Sequence, residues 1–225
     1  MFDWIIKKAT NSIPEEFDWY IKACDKNVVL SQAISEARFV VLDTETTGLD
    51  PKKDRILSIG AVAVQGYSLK VNDSFEVALK QSQFNKESIA VHEITPGSSA
   101  LAEEPKSVMT DFLNYLKGAV IIGHYVDFDY KILSEAVHRQ LGFHLLNKRY
   151  DTMQLLRRTD THFAYNNLNK PSDFGLDQVC ERFNIPISDR HTAMGDALAT
   201  SLLFARQLKK LEHRGINTVK DLLKR

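Results

Sequence analysis

Between Arg38 and Leu79 the chain passes through three apolar stretches, FVVLDTE, RILSIGAVAVQGY and SLKVNDSFEVAL, separated by Gly, Pro and Asp. Runs rich in Val, Ile, Leu and Phe between turn formers predict three consecutive strands, and the short breaks predict an antiparallel meander. Beyond them the periodicity changes. Residues 106–117 (KSVMTDFLNYLK) repeat at helical spacing with Gly118 as a stop, AVIIGH reads as a short buried strand, and Asp127 to Gln140 returns to a helix. RYDTM offers a last strand, and helices near 175–183, 192–211 and 217–224 complete the chain. Between these, DTHFAYNNLNKPSD reads as a long polar loop of the kind that serves function. Strands first and helix–strand–helix afterwards predict an α/β architecture, a mixed sheet of about five strands flanked by helices.

At 225 residues and 44% hydrophobic content the chain can close one sizeable core with a small appendage. Residues 1–36 read as a helical extension with a start after Pro14 at Glu15 and Glu16, ahead of a main domain over 37–225. Both tryptophans, Trp4 and Trp19, fall in this extension, beside Phe2, Phe17 and Tyr20. Aromatic clusters usually serve packing, which makes the segment a cap on the main domain. A docking surface for a partner or a second copy is the other role the same residues could fill.

Lys plus Arg equals Asp plus Glu at 29 each, for a formal net charge of zero. That argues against a broad phosphate-coating surface, which needs many Lys and Arg contacts. It leaves room for an enzyme that grips a few nucleotides through bound cations. Cys24 and Cys180 form no C-x-x-C pair, which speaks against a disulfide framework or a zinc site. No window approaches membrane-spanning length, and MFDWIIKKAT carries charge where a signal peptide would be apolar. The expectation is a cytoplasmic protein without a membrane partner.

Three short segments carry chemistry. Asp43-Thr44-Glu45 ends an apolar strand, and residues two apart on a strand project to the same face. Thr46, Thr47 and Gly48 follow, and a glycine there lets backbone approach a ligand closely. Gly123-His124-Tyr125-Val126-Asp127-Phe128-Asp129 joins a buried strand to a helix, where either aspartate could also serve as an N-cap. Arg190-His191-Thr192-Ala193-Met194-Gly195-Asp196-Ala197 opens a long helix. G-x-S-x-G, P-loop and G-x-G-x-x-G motifs are absent.

Taken together, in this order, the three segments resemble the DEDDh exonucleases, the family of the bacterial polymerase III epsilon proofreading subunit, RNase T and oligoribonuclease. DTETTGL, GHYVDFD and HTAMGDA are similar to its three motifs, and the resemblance covers roughly residues 37–211. It implies a ribonuclease H-like fold, metal ligands at Asp43, Glu45, Asp129 and Asp196, and His191 as general base. It also implies substrate contacts at Thr46, Thr47, Gly48 and Leu49, and at His92 within VHEITP, a residue that could equally sit in a turn before Pro96. Two positions depart from the family pattern, Tyr125 for Asn and Glu93 for Gly, and neither is an implied metal ligand.

The implied chemistry is self-consistent. Two cations about 3.5–4 Å apart can clamp the attacking and leaving oxygens of a phosphoryl displacement. Hard carboxylate oxygens suit two ions of Mg²⁺ or Mn²⁺, and a histidine of near-neutral pKa can take a proton from water. The expected reaction is 3′→5′ removal of 5′-mononucleotides from a single-stranded or frayed DNA 3′ end, with a DNA polymerase or a second copy as candidate partner for the N-terminal helices. RNA trimming by the same chemistry is the alternative within the class, and a catalytically silent nucleic-acid-binding module the alternative outside it.

Overall fold

The structure is a computed structural model and describes residues 13–82, 89–90, 92, 94–95, 102–165 and 174–224. Five strands, β1 Arg38–Thr46, β2 Ile56–Gln65, β3 Ser68–Ala78, β4 Val120–Gly123 and β5 Arg149–Asp151, form one mixed sheet in the order β3-β2-β1-β4-β5. The first three are the antiparallel meander that the sequence predicts, while β4 and β5 add in parallel. Helices follow as α1 Asp18–Ala23, α2 Lys26–Ser31, α3 Pro105–Leu116, α4 Asp127–Leu141, α5 Thr152–Thr159, α6 Thr161–Tyr165, α7 Leu176–Phe183, α8 Ala193–Glu212 and α9 Val219–Leu223.

β1 is apolar without a break from Phe39 to Leu42 because both of its faces are covered there. Phe39 and Val41 pack with Val62, Val64, Phe204 and Leu208 on the side of α8. Val40 and Leu42 pack with Ile121, Met109, Phe112 and Leu133 on the side of α3 and α4. The alternation continues past the core. Asp43 and Glu45 extend the series that faces α8, and Thr44 extends the series that faces α4.

Two sequence expectations change. RYDTM is a strand only to Asp151, whose side chain accepts from the Met153 amide at 2.7 Å and starts α5 at Thr152. The polar loop after Asp160 contains α6, while residues 166–173 lie outside the described residues. No helix among the described residues is long and apolar enough to cross a membrane.

Trp4 and Phe2 lie outside the described residues, but Phe17 and Tyr20 are buried in the core beside Phe143 and Leu145. The Tyr20 hydroxyl donates to Asn147 Oδ1 at 2.5 Å and accepts from the Leu146 amide at 3.0 Å. Asn147 in turn donates to the Lys117 and Ala119 carbonyls. Tyr20→Ala is therefore expected to destabilise the chain by about 3–5 kcal/mol, the usual cost of emptying an aromatic site. Tyr20→Phe is expected to cost about 1–3 kcal/mol, for the polar groups left unpaired. Urea unfolding measures both, and a Tyr20→Ala midpoint equal to the parent's would show that the segment is not part of the core.

Candidate active site

The C-terminal end of β1 brings the first carboxylates forward, and the starts of two helices bring the others. Asp43 pairs across the sheet with Gly60. A Cβ at Gly60 would lie 2.2 Å from the Ala193 carbonyl carbon, so the missing side chain is what lets the first turn of α8 rest on β2. Thr192 caps that helix, accepting from the Gly195 amide at 3.1 Å. Asp196 then stands in the first turn of α8, where the helix dipole favours negative charge. The result is one group of three carboxylates, Asp43, Glu45 and Asp196, with an oxygen from each lying within 4.8 Å of the others.

Asp129 approaches from the opposite face of the sheet, close enough for its charge to act on Asp43 but outside the group of three. It lies in the first turn of α4 and accepts a 2.7 Å hydrogen bond from the Thr44 hydroxyl, so Thr44 ties it to β1 between Asp43 and Glu45. The N-cap alternative for this segment is not realised, because Val126 occupies that position and Asp127 pairs with Arg149 at 2.6 Å. His124 donates through Nε2 to the Phe174 carbonyl at 2.7 Å, which leaves Nδ1 to accept from the Thr152 hydroxyl at 2.9 Å. With both nitrogens engaged, its work is to fix the loop after β4.

His191 lies in the turn before α8, exposed, with φ of 62°. It is not a member of the group that the three carboxylates form. The β1–β2 loop is held by residues that the motif reading passes over. Thr47 donates from its hydroxyl to Asp54 Oδ1 at 3.0 Å and from its amide to the Arg55 carbonyl at 2.9 Å. A Cβ at Gly48 would meet Asp54 Oδ2 at 2.6 Å, so a side chain there would displace the Asp54 carboxylate from its bonds to Thr47 and Asp50. Thr46 donates to the Gly48 carbonyl at 2.8 Å, and the next side chain, Leu49, is thrown out to 84% exposure. His92 is buried, its Nδ1 accepting from the Ile94 amide at 3.0 Å. Burial holds its pKa down, opposed by the Thr46 backbone beside it. Arg190, which the sequence leaves unremarked, bridges Asp196 to Asp177.

Crowding shows in the protonation equilibria. Burial first, then the charges of Asp129, Asp196 and Glu45, push Asp43 well above the usual carboxylate range, while Arg190 opposes them. Burial and the charges of Asp196 and Asp129 raise Glu45 to about 7. Burial raises Asp129 to about 7 against the Thr44 hydrogen bond. These carboxyls hold protons in the folded state that the unfolded chain releases above about pH 4.3. For Glu45 and Asp129 the destabilising effect is thus absent below that pH and fully developed only above about pH 7. In EDTA, the parent is expected to lose melting temperature relative to Glu45→Gln as pH rises from 4.5 to about 7. Mg²⁺ held by the deprotonated set would restore more at pH 8 than at pH 5. Melting curves across this range test it, and a parent that gains on Glu45→Gln with rising pH contradicts the assignment.

Hard oxygens, a tight spacing and an Asp196 Oδ1 that is buried with no hydrogen-bond partner among the described residues fit a divalent cation. The exonuclease family model RNase T matches residues 40–204. The chain is 33% identical over 196 residues to the DNA polymerase III PolC-type of Caldanaerobacter subterraneus subsp. tengcongensis, covering 85% of this chain and 13% of that protein. The corresponding protein of Thermotoga maritima is 29% identical over 200 residues, with 88% of this chain and 14% of its own length covered. The chain thus spans about one seventh of these relatives' length. E. coli exonuclease I, in its crystal structure with a dT13 oligonucleotide, superposes with a TM-score of 0.66 at 18% identity, over 80% of this chain and 43% of that one. The mixed sheet flanked by helices is the ribonuclease H-like fold of that protein.

Proposed function

The chain belongs to the RNase T exonuclease family, and from that premise we propose that it releases 5′-mononucleotides stepwise from DNA 3′ ends. The observation that carries this reading is the group of Asp43, Glu45 and Asp196 oxygens within 4.8 Å of one another. Asp129, tied to Thr44 between the two strand carboxylates, completes the set that would hold two Mg²⁺ or Mn²⁺ ions. When bound, such cations stabilise the attacking and leaving oxygens of phosphodiester hydrolysis.

The chain's own residues divide the remaining work. His191, exposed on its turn, takes the proton from the attacking water. The loop from Thr46 to Leu49 receives the terminal nucleotide. Its Thr47 amide is already bonded to Arg55, which leaves the protruding Leu49 side chain to press against the base. His92, packed beside Thr46, supports that loop from below. An open 3′ end is favoured because unstacking a paired base costs a few kcal/mol. The PolC-type relatives support DNA over RNA as the substrate, as do the Thr-Glu-Thr-Thr-Gly and His-x-x-x-Phe-Asp sequences.

The test is product identification by mass after incubation with single-stranded DNA, mismatched duplex, RNA and circular single strands, with and without Mg²⁺. Metal-dependent release of 5′-mononucleotides from linear DNA is the expected result. Cutting of the circle or 3′-phosphate products would overturn the reaction, and faster release from RNA would replace the substrate.

A further inference from the structure

Arg190 precedes the proposed base and has no role in the reaction as described. Its guanidinium lies between two helix starts. Nε donates to Asp177 Oδ1, Nη2 donates to Asp177 Oδ2 at 3.1 Å, and Nη1 donates to Asp196 Oδ2. The Asp177 side of this arrangement is a two-bond fork, the strong and directional form of an arginine–carboxylate pair. Asp177 itself lies half-exposed at the start of α7, outside the carboxylate group. One oxygen of Asp196 is therefore held, and the other, Oδ1, is buried without a hydrogen-bond partner among the described residues. Arg190 also sits between two non-glycine residues in the left-handed region, Asp189 with φ of 53° and His191 with φ of 62°. Such backbone persists where the surroundings over-determine it.

We infer that Asp177 and Arg190 form a positioning device that locks the Asp196 carboxylate with Oδ1 turned toward the cation position. The inference rests on the proposed function, in which these carboxylates hold divalent cations. Two effects of Arg190 oppose each other. Its charge, close to Asp43 and Glu45, reduces the pull of the site on a cation. Its hydrogen bond fixes a ligand's orientation, and losing such a partner typically costs 10–100-fold in metal affinity. Lysine separates the two, since it keeps the charge and cannot make the fork.

Calorimetric titration of the full chain with Mn²⁺ reads the outcome directly. Arg190→Lys and Asp177→Ala are each expected to weaken binding by roughly 10–100-fold. Turnover at saturating metal should fall less than metal affinity does, which a general loss of structure would not produce. Asp177 is half-exposed, so its variant keeps the test open if Arg190→Lys folds poorly. Binding as tight as the parent's in both variants overturns the positioning role, as does tighter binding in Arg190→Gln, which would make Arg190 a competitor for the cation. A parent that binds no divalent cation overturns the proposed function together with this inference.

Discussion

Replacing Asp43, Glu45, Asp129 or Asp196 with alanine is expected to bring nucleotide release to below roughly 0.1% of the parent rate, a loss of more than about 4 kcal/mol of transition-state stabilisation. In the proposed site each side chain would supply ligand atoms that no neighbour can replace, because the four come from two sheet positions and two helix starts. Stability should move the other way for two of them. Asp43 and Glu45 crowd charge into a partly desolvated cleft, so removing one relieves repulsion in the metal-free chain. Asp129→Ala and Asp196→Ala differ, since the first strands the buried Thr44 hydroxyl and the second breaks the pair with Arg190. Rates measured beside melting temperatures in EDTA decide the matter. A dead Glu45→Ala that also melts well below the parent would mean a folding defect, and an active one would remove Glu45 from the site.

His191→Ala is expected to lower turnover by roughly 10²–10⁴-fold, the range for a lost general base. Because His191 is exposed and outside the carboxylate group, the variant should retain cation binding. A cation at about 100 times its dissociation constant adds roughly 2.7 kcal/mol of stability per site. That metal-induced rise in melting temperature should survive in His191→Ala and shrink in Asp43→Asn. Normal turnover in His191→Ala would assign proton removal elsewhere. Loss of the metal response with loss of turnover would make His191 a ligand.

The sheet was legible because its strands announce themselves twice, by composition and by the breaks between them. The meander, the parallel strand VIIG and the long helix after His191 all follow from periodicity. Asp151 was harder to read, since one residue ends a strand and caps a helix and only its side-chain bond to the Met153 amide reveals the second task. The site was legible as a set of residues and illegible as an arrangement. D-x-E on an apolar strand shows two carboxylates on one face, but Thr44 turned toward Asp129 is visible only once α4 lies across the opposite face. Asp54 lies outside the three segments, and Arg190 opens the third without a role assigned to it. Their importance comes from contacts with Gly48 and with Asp177 and Asp196, which are near in sequence but depend on how the loop and the two helix starts fold.

Gly60 has a consequence in time. The contact between its bare Cα and the start of α8 is what seats Asp196 beside a strand made far earlier in the chain. At about 5–20 residues per second, a ribosome needs roughly 8–30 s to travel from Glu45 to Asp196. Throughout that interval the nascent chain displays Asp43 and Glu45 without the carboxylate opposite them. A polypeptide released before α8 would therefore lack Asp196, one of the carboxylates of the proposed centre.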